Sequence, residues 1–408
     1  MKIAAIDLIF NWPPDGGARV DTKEILSRLA SDFEVKLFVP QYNELSFKRG
    51  NIKGNFPFAI EKISVDKKTF RSKKWIELFK KEIDRYNPDI VFFCDGWHRK
   101  PLLFNALDKY KRILRFYAYE TICPKRNGVF TFRKKLCKKR PLEKFSDFLF
   151  CSVFTTISIF RTKDELFFDE YFSAKAFLPS FRKKVLKMIK DASFIIVYND
   201  FIKEMIKKFN KNVEIIPSGI DDNVISYVDY PFNNEKKVIL FIGRANDPMK
   251  GFWIAKKALD ELYKKRKDFE LWYTSPDKII EDTNYIKWKG WLKPEKVKEL
   301  YAKANLCVVP SIWPEPFGIV ALEAMATGRP VIVSNLGGLK FTVENAIDGF
   351  IIEAGDYKSL ARYLHLLLSN EKLAASMGKK GYEKVKRKYT WDIIYKKYYK
   401  NLISSLLK

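Results

Sequence analysis

Short apolar runs alternate with longer helical patterns along the first half of the chain. KIAAIDLIF is followed by VDTKEILSRLASDF, and EVKLFVP and NPDIVFFC are further apolar runs. Apolar runs of about four to eight residues between turn residues predict buried strands, whereas longer stretches with apolar residues every three or four positions predict helices. Because strands that alternate with helices form parallel sheets, the first half is predicted to be an α/β domain.

The same alternation begins again near residue 236. KKVILFIG, ELWYTS, NLCVVP, RPVIVS and GFIIEAG are the strand-like runs, and GFWIAKKALDELYKK and EKVKELYAKA are helical patterns between them. The polar stretch at 221–237, DDNVISYVDYPFNNEKK, has neither periodicity and separates the two series. We therefore predict two Rossmann-like, doubly wound domains, 1–225 and 226–390, and a C-terminal amphipathic helix at 391–408 that returns to the first domain.

One segment, about 124–190, departs from this alternation. Its first part, PKRNGVFTFRKKLCKKRP, has eight basic and no acidic residues, and the part that follows is rich in Phe. Lys and Arg clusters together with large aromatic residues are typical of segments that bind anionic lipid surfaces. The alternative is that the Phe residues form an extra helical layer on the first domain and that the lysines only solvate it.

Composition and charge narrow the function classes. The 408 residues include 76 Lys and Arg against 49 Asp and Glu, so the net charge of +27 favours nucleic acid, anionic membranes or phosphorylated small molecules as partners. The five cysteines form no CxxC pair, which favours reduced thiols and the cytoplasm and does not favour a zinc site. No apolar run reaches the roughly 18 residues needed to span a bilayer.

Loops after strands are the candidate sites, because ligands of open α/β sheets bind beyond the carboxyl ends of the strands. After the first strand, Gly16 and Gly17 let the backbone approach an anion at the start of a helix, although Gly-Gly is as common in plain turns. In the second half, Arg244 and Lys250 share one loop and could meet a diphosphate from the same side, unless they are solvated surface charges.

The stretch SIWPEPFGIVALEAMATGRP, residues 311–330, carries two carboxylates. A helix is predicted to begin near Gly318, which leaves free N–H groups around Ile319 and Val320 for an anion. Glu315 precedes this helix between two prolines, and Glu323 lies about one turn inside it. We expect the two carboxylates to flank one ligand. The alternative is that Glu323 only favours the helix dipole and that Glu315 is exposed.

Several of these motifs, in order, resemble those of retaining glycosyltransferases of the GT-B fold, especially glycosyltransferase family 4 (glycosyl transferases group 1). The matching pieces are GGARV, PSGID at 217–221, GRANDPMKG at 243–251, GWLKPEKVKELYAKA at 290–304, and EPFGIVALEAMATGRPVIVSNLGGLKFTVENAIDGFII from 315. The second half matches nearly throughout and the first half only at its ends. The resemblance implies two domains that face a central cleft.

The resemblance also implies roles for individual residues. A nucleotide-sugar donor, such as a UDP- or GDP-sugar, would be held by the second domain, with Arg244 and Lys250 on its diphosphate. Glu323 would bind the ribose hydroxyls and Glu315 the donor sugar. The remaining donor-binding positions implied are the nucleobase loop, the backbone around the helix start, and the glycines that approach phosphate: Gly290, Trp291, Pro316, Phe317, Gly318, Ile319, Val320, Gly243, Gly16 and Gly17.

The acceptor side departs from the family. Many relatives carry a His after a first-half strand, but the corresponding stretch here, RILRFYAYETICP, has none, so Glu120 or Tyr119 would take its place. His98, in CDGWHRKP, is the other catalytic candidate, whereas His365 lies in an apolar helical pattern and is expected to be structural. Glu315, His98 and Glu120 are therefore the predicted catalytic residues.

The expected function is sugar transfer with retention, without a metal or another cofactor, because no Asp-x-Asp motif is present. The acceptor would be a hydroxyl group of a glycan or lipid-linked saccharide in polysaccharide biosynthesis, and the protein would work in the cytoplasm or peripherally at the cytoplasmic membrane face. A nucleotide-sugar epimerase or phosphorylase on the same fold is the alternative. A nucleic-acid-binding protein is less favoured, since no such motif is recognised and no nucleic-acid partner is expected.

Overall fold

The computed structural model describes residues 1–14, 16–42, 50–125, 136–162 and 165–407. The chain divides into two compact units. The first takes Met1–Phe130, Cys137–Pro217 and Tyr395–Lys408, and the second is built on Ser218–Ile394. The units therefore change at 217/218, whereas the sequence places the domain boundary at 225/226.

The first unit is built on a parallel sheet that has seven strands within the described residues, in the order β3-β2-β1-β4-β5-β6-β7. The central strands are apolar along their whole length, as in β4 (IVFF), because helices cover both faces of such a sheet. The strands are β1 Lys2–Ile6, β2 Glu34–Tyr42, β3 Ala59–Val65, β4 Ile90–Phe93, β5 Lys111–Arg115, β6 Phe194–Val197 and β7 Val213–Ile215.

Helices of the first unit follow most of these strands. The segment between β5 and β6 adds α5, α6 and α7, which is where the sequence places the basic, Phe-rich insertion. The helices are α1 Gly17–Asp32, α2 Lys67–Arg71, α3 Lys74–Tyr86, α4 Lys100–Ala106, α5 Phe145–Thr162, α6 Glu165–Ser173, α7 Pro179–Asp191 and α8 Asp200–Ile206. The basic stretch at 126–135 lies outside the described residues.

The second unit repeats this plan with a parallel sheet in the order β10-β9-β8-β11-β12-β13. The strands are β8 Lys237–Phe241, β9 Phe269–Tyr273, β10 Ile286–Trp288, β11 Leu306–Val309, β12 Val331–Ser334 and β13 Gly349–Ile352. The helices are α9 Phe252–Tyr263, α10 Pro294–Lys303, α11 Ile319–Ala326, α12 Leu339–Thr342, α13 Tyr357–Ser369, α14 Glu371–Lys388 and α15 Trp391–Ile394. A 3-10 turn, Pro248–Lys250, precedes α9.

The end of the chain belongs to the first unit from Tyr395 onward. It forms a π-helical turn, Tyr395–Tyr399, and then α16, Lys400–Leu407. The Tyr395 hydroxyl donates to Asp32 Oδ2 at 2.6 Å, and Lys111 Nζ donates to the Leu406 carbonyl oxygen at 2.6 Å. These contacts attach the chain end to α1 and β5 of the first unit.

Each sheet has one place where the strand order reverses. In the first sheet this switch point lies between β1 and β4, and in the second it lies between β8 and β11. Ligands of doubly wound sheets bind outside the carboxyl ends of the strands at such points. The loops after β1, β4, β8 and β11 are therefore the places where a site is expected.

All five cysteine side chains are buried. Among the described residues, no group of three or more His, Cys, Asp or Glu side chains is arranged to hold a metal ion. Within the same part of the chain, every helix is too short or too polar to cross a membrane.

Candidate functional site

The switch point of the second sheet brings Lys250 and Glu315 together. Lys250 Nζ, in the loop after β8, donates to Glu315 Oε1, in the loop after β11, at 2.7 Å. The Ser311 hydroxyl donates to the same oxygen at 2.7 Å. Glu315 is only 7% exposed, so its carboxylate is held in one orientation by two donors. The sequence assigned Lys250 and Glu315 to different parts of a ligand and did not predict that they form an ion pair.

Close backbone packing between the same two loops fixes this ion pair. The Ile312 N–H donates to the Met249 carbonyl oxygen at 3.0 Å. Gly251 has φ +78°, and a Cβ there would collide with the Pro310 carbonyl. Asp247 accepts from the Met249 N–H at 3.0 Å and so starts the 3-10 turn that ends at Lys250. The turn therefore presents the Lys250 side chain toward the loop after β11.

The loop after β12 supports the Pro-Glu-Pro-Phe-Gly segment from the other side. The Gly338 N–H donates to the Glu315 carbonyl oxygen at 2.7 Å. A Cβ at Gly337 would collide with that same carbonyl, and a Cβ at Gly338 would collide with the backbone of Pro316 and Phe317. The sequence analysis gave this Gly-Gly pair no role, although its position directly after a strand was the available signal.

The predicted helix start at Gly318 is confirmed, since α11 runs from Ile319 to Ala326. Gly318 precedes it with φ +101°, a left-handed conformation that favours glycine, and the Leu339 side chain occupies the space a Cβ would need. The first N–H groups of a helix, here around Ile319 and Val320, have no partner inside the helix and carry a partial positive charge. This end of α11 follows directly on the loop that holds Glu315.

Glu323 lies one turn inside α11 and is half-buried. The Tyr301 hydroxyl, from α10, donates to Glu323 Oε2 at 3.0 Å. Burial raises the pKa of Glu323 to about 7, while the hydrogen bond from Tyr301 acts in the opposite direction. Glu323 can therefore change its protonation state near neutral pH, and above that range its carboxylate accepts hydrogen bonds at both oxygens without donating one.

Arg244 is the more accessible cation of the loop after β8. Its side chain is 59% exposed, and its Nη2 lies 3.5 Å from Asp247 Oδ2. Gly243 before it has φ +129°, and no described atom lies within 4 Å of where a Cβ would be. The Gly243 N–H donates to Thr274 Oγ1 at 2.8 Å, which attaches the loop to the end of β9. The guanidinium is therefore available to an anion at this end of the sheet.

The loop after β10 carries an exposed aromatic side chain. Gly290 has φ +77°, and its carbonyl oxygen accepts from the Ser275 N–H at 3.2 Å. Trp291, the next residue, is 60% exposed. An exposed indole at the carboxyl end of a strand offers a flat apolar surface on which a planar ring can stack.

In the first unit, Gly16 and Gly17 begin α1 in the loop after β1. No described atom lies within 4 Å of a Cβ built at either position. Gly16 has φ −178°, an extended conformation that any residue adopts. Neither packing nor Gly16 backbone geometry among the described residues requires glycine here, and the space above the helix start is open.

His98 lies in a buried aromatic surrounding. Its side chain is 3% exposed, and its ring packs against Phe167, Tyr171 and Phe181 with ring centroids 5.2 to 5.9 Å apart. Burial lowers the pKa of His98 to about 4, so the imidazole is neutral at pH 7. This surrounding, which the fold of α6 and α7 creates, favours a packing role for His98, and its catalytic role stays a prediction.

Glu120, another predicted catalytic residue, is bound to the backbone of its own loop. Its carboxylate accepts from the Tyr117 N–H at 2.9 Å and the Ala118 N–H at 2.8 Å, and Lys100 Nζ lies 3.5 Å away. Burial raises the pKa of Glu120, and Lys100 opposes that shift. Tyr119 is buried, with its ring against Phe201. Glu120 thus holds the loop after β5 in place through both of its oxygens.

The switch point of the first sheet carries a charge cluster that the sequence analysis missed. Arg19 Nη1 donates to Asp95 Oδ2 at 2.6 Å, and the Thr22 hydroxyl lies 3.2 Å from Asp7 Oδ2 and 2.8 Å from the Tyr117 hydroxyl. Burial raises the pKa of Asp7 to about 6, with Arg19 acting against the shift. The signal was an Asp directly after each of two apolar runs, in KIAAID and VFFCD.

Sequence comparison links the second unit to known glycosyltransferases. Residues 226–384 match the family model of glycosyl transferases group 1. An uncharacterized glycosyltransferase of Methanocaldococcus jannaschii is 31% identical over 172 residues, which is 40% of this chain and 44% of that protein. A phosphatidyl-myo-inositol mannosyltransferase of Mycolicibacterium smegmatis is 27% identical over 190 residues, 44% of this chain and 48% of that protein. The chain spans about half the length of these curated relatives.

Solved structures extend the likeness to the whole chain. Sucrose-phosphate synthase from Thermosynechococcus elongatus superposes with a TM-score of 0.69 at 17% identity and covers 99% of both chains. The Anabaena protein HepE, in complex with UDP and glucose, superposes with a TM-score of 0.66 at 15% identity and covers 99% of this chain and 100% of that one. At these identities the likeness shows the fold alone, and it confirms the predicted GT-B fold of two Rossmann-like domains.

Proposed function

We propose that this protein is a glycosyltransferase of the glycosyl transferases group 1, which moves a sugar from a nucleotide-diphosphate sugar to a hydroxyl group. The observation that carries the proposal is the arrangement at the second switch point. Lys250, Glu315 and the start of α11 meet there, inside the segment that matches the family model. Arg244 on the loop after β8 and Glu323 on α11 add a cation and a carboxylate near that arrangement.

The diphosphate of the donor binds to Arg244, Lys250 and the first N–H groups of α11. Negative charge builds up on the diphosphate as the bond to the sugar breaks, so fixed positive groups stabilise the transition state more than the bound donor. One cation about 4 Å away is worth about 4 kcal/mol at an effective dielectric constant near 20, before its desolvation is subtracted. Arg244 stabilises the charge on the diphosphate more than Lys250 does, because Lys250 is already paired with Glu315.

Glu315 binds the donor sugar and keeps Lys250 in position. Carboxylates accept strong hydrogen bonds from sugar hydroxyls, and Lys250 and Ser311 hold this carboxylate in one orientation. Glu323 accepts from the ribose hydroxyls, which requires its ionised form, and Trp291 together with Gly290 faces the nucleobase. Gly243, Pro316 and Phe317 shape the donor loops.

Transfer occurs with retention and without a metal ion, as in glycosyltransferase family 4. Arg244 and Lys250 supply the positive charge that a metal ion would otherwise bring to the diphosphate. The departing phosphate oxygen accepts the proton of the attacking hydroxyl, so that no strong protein base is needed. The burial of His98 among aromatic rings and the engagement of Glu120 with its own loop support this reading.

The acceptor is a hydroxyl group of a glycan or of a lipid-linked saccharide, in polysaccharide biosynthesis. UDP- and GDP-sugars are the first donors to try. HepE binds UDP and glucose, and one relative is a mannosyltransferase. A lipid-linked acceptor requires that the protein work at the cytoplasmic face of a membrane, which is one of the two locations that the sequence predicts.

A donor screen with the purified protein tests the proposal. UDP-, GDP- and ADP-sugars are compared for protection against thermal unfolding and for release of nucleoside diphosphate in the presence of glycan acceptors. We expect one donor to protect the wild type and to be turned over, with chelator present, into a product that keeps the anomeric configuration. The matched control is Glu281→Gln, an exposed carboxylate of the same unit, which should behave as wild type.

The proposal is wrong if no nucleotide sugar protects the protein, or if Glu315→Ala leaves transfer intact. A product that is an epimerised donor, or a sugar phosphate released by inorganic phosphate, would assign the protein to the epimerases or phosphorylases instead.

A further inference from the structure

Helix α5 exposes a continuous apolar surface. This surface, called here the α5 face, consists of side chains that repeat every three or four positions and have exposed fractions from 44% to 64%: Phe145, Leu149, Phe150, Val153, Ile157 and Phe160. The opposite side of the helix packs into the first unit through Phe148, Cys151, Thr155 and Ile159, all buried. The α5 face is therefore not needed for the core, and water now covers it at a cost in free energy.

No charged residue interrupts this surface. The stretch from Phe148 to Phe160 contains neither Lys, Arg, Asp nor Glu. The nearby Asp147 is turned away, since it accepts from the Arg140 N–H at 2.8 Å and from Lys139 Nζ at 3.0 Å. By contrast α3, another surface helix of this unit, exposes Lys, Glu and Arg side chains over most of its outer side. Exposed apolar stripes of this kind mark contact surfaces.

Cations border the α5 face, and nearby anions are neutralised. Lys139 Nζ lies 4.8 Å from the centre of the Phe150 ring, and Lys125 Nζ lies 4.6 Å from that of Phe154. Lys138 and Lys144 precede α5 in the chain, Lys175 follows α6, and all three are exposed.

Two acidic residues of α6 do not offset this charge. Asp169 is paired with Arg71 at 2.5 Å, and Glu170 is fully buried. Among the side chains that the structure describes, the surface around α5 is thus apolar with a positive border.

We propose that the α5 face inserts into the surface of an anionic lipid bilayer, with the helix lying in the plane of the interface. Eighteen residues give the helix a length of about 27 Å, and phenylalanine and aliphatic side chains enter the acyl region while the bordering lysines meet the lipid phosphates. A second copy of the chain is a poor occupant, because it would bring two positive borders together. The proposal extends the proposed function and does not depend on it, since membrane binding needs no donor sugar.

Vesicle binding tests the proposal. The full chain is sedimented with vesicles of phosphatidylcholine alone and of phosphatidylcholine mixed with phosphatidylglycerol, at low and high salt. We expect binding to the mixed vesicles only, weakened by salt. Val153→Ser with Ile157→Ser should lower the affinity at least about tenfold, because two inserted side chains are lost.

A triple change of Lys138, Lys144 and Lys175 to Gln should lower it on the order of 100-fold, at about fivefold per lysine. Lys372, Lys379 and Lys380 on α14, changed to Gln, are the charge-matched control and should lower it much less.

A labelled variant locates the contact. The native cysteines are all buried, so Val153→Cys can carry an environment-sensitive fluorophore, with Leu78→Cys on α3 as the control at another exposed apolar position. We expect a blue shift on mixed vesicles for the Val153 label alone.

Failure of the wild type to bind mixed vesicles, equal shifts at both labels, or full affinity in the α5 variants would overturn the proposal, as would a dimer that the Val153 and Ile157 changes disrupt. Donor-induced thermal protection, measured on the same variants, should be unchanged, which separates this outcome from failure of the proposed function.

Discussion

The switch points of the two sheets place charged residues at the same position in the fold but use them differently. At the first, Asp7, Asp95 and Arg19 are all buried, Arg19 is paired with Asp95, and Asp7 accepts from the Thr22 hydroxyl. At the second, Lys250 and Glu315 are paired, but Arg244 is exposed and Glu323 Oε2 accepts from the Tyr301 hydroxyl. An incoming diphosphate would have to break the first arrangement, whereas it can add to the second. The difference supports the proposal that the donor binds to the second unit.

The largest expected effect comes from Glu315→Gln. The change removes the charge that orients Lys250 and a strong acceptor for the donor sugar, so we expect kcat to fall by about 100-fold or more, equivalent to about 3 kcal/mol of transition-state stabilisation. Steady-state release of nucleoside diphosphate measures it. If kcat changes no more than in Glu281→Gln, the second switch point is not the reacting centre.

Arg244→Ala should have the next largest effect. The guanidinium is exposed and therefore partly screened by water, so we expect kcat/KM to fall about 10- to 100-fold. Arg244→Lys should recover part of this loss, because charge is kept while the bidentate geometry is not. Arg362→Ala, an exposed arginine on α13, is the control. A loss of the same size in that control would mean that net charge, and not position, accounts for the effect.

Glu323→Gln should weaken donor binding and stabilise the folded protein. Because burial raises the folded-state pKa of Glu323 to about 7 from 4.5, ionising it above that pH costs stability, by up to about 3 kcal/mol at roughly 1.4 kcal/mol per pKa unit. The gain in unfolding free energy should thus be present at pH 8 and absent at pH 4. For the wild type, the Kd of the donor should rise as pH falls through 7. The assignment would be contradicted if the difference in unfolding free energy between the variant and the wild type were the same at pH 4 and pH 8.

Asp7→Asn should have the smallest effect on the reaction and is the direct test of the comparison. Burial raises the pKa of Asp7 to about 6 from 3.8, so the neutral amide avoids the cost of ionisation, and we expect equal or greater stability at pH 8, by up to about 3 kcal/mol. Donor-induced thermal protection should stay within about twofold of wild type. A clear loss of that protection would mean that the first switch point takes part in donor binding.

Local features of both units were predictable from the sequence. The start of α11 at Gly318 followed from a glycine and two prolines ahead of an apolar run, and α5 to α7 lie where the Phe-rich segment breaks the alternation. The surroundings of His98 and Glu120 were not predictable. The aromatic rings around His98 come from helices about 70 or more residues further along the chain, and nothing local to CDGWHRKP indicates them.

By itself, the sequence determined the order of strands and helices, the two doubly wound α/β domains that this order implies, and the loops that carry Arg244, Glu315 and Glu323. Those features depend on the periodicity of apolar residues and on the backbone preferences of Gly and Pro, which act over a few residues. The tertiary structure decided that Lys250 pairs with Glu315 across 65 residues, that Asp7 and Asp95 share a buried cluster, and which side of α5 is left uncovered. The physical reason is that a buried charge or an apolar side chain takes whatever partner the packing brings close, and strand order rather than local sequence sets which partner that is.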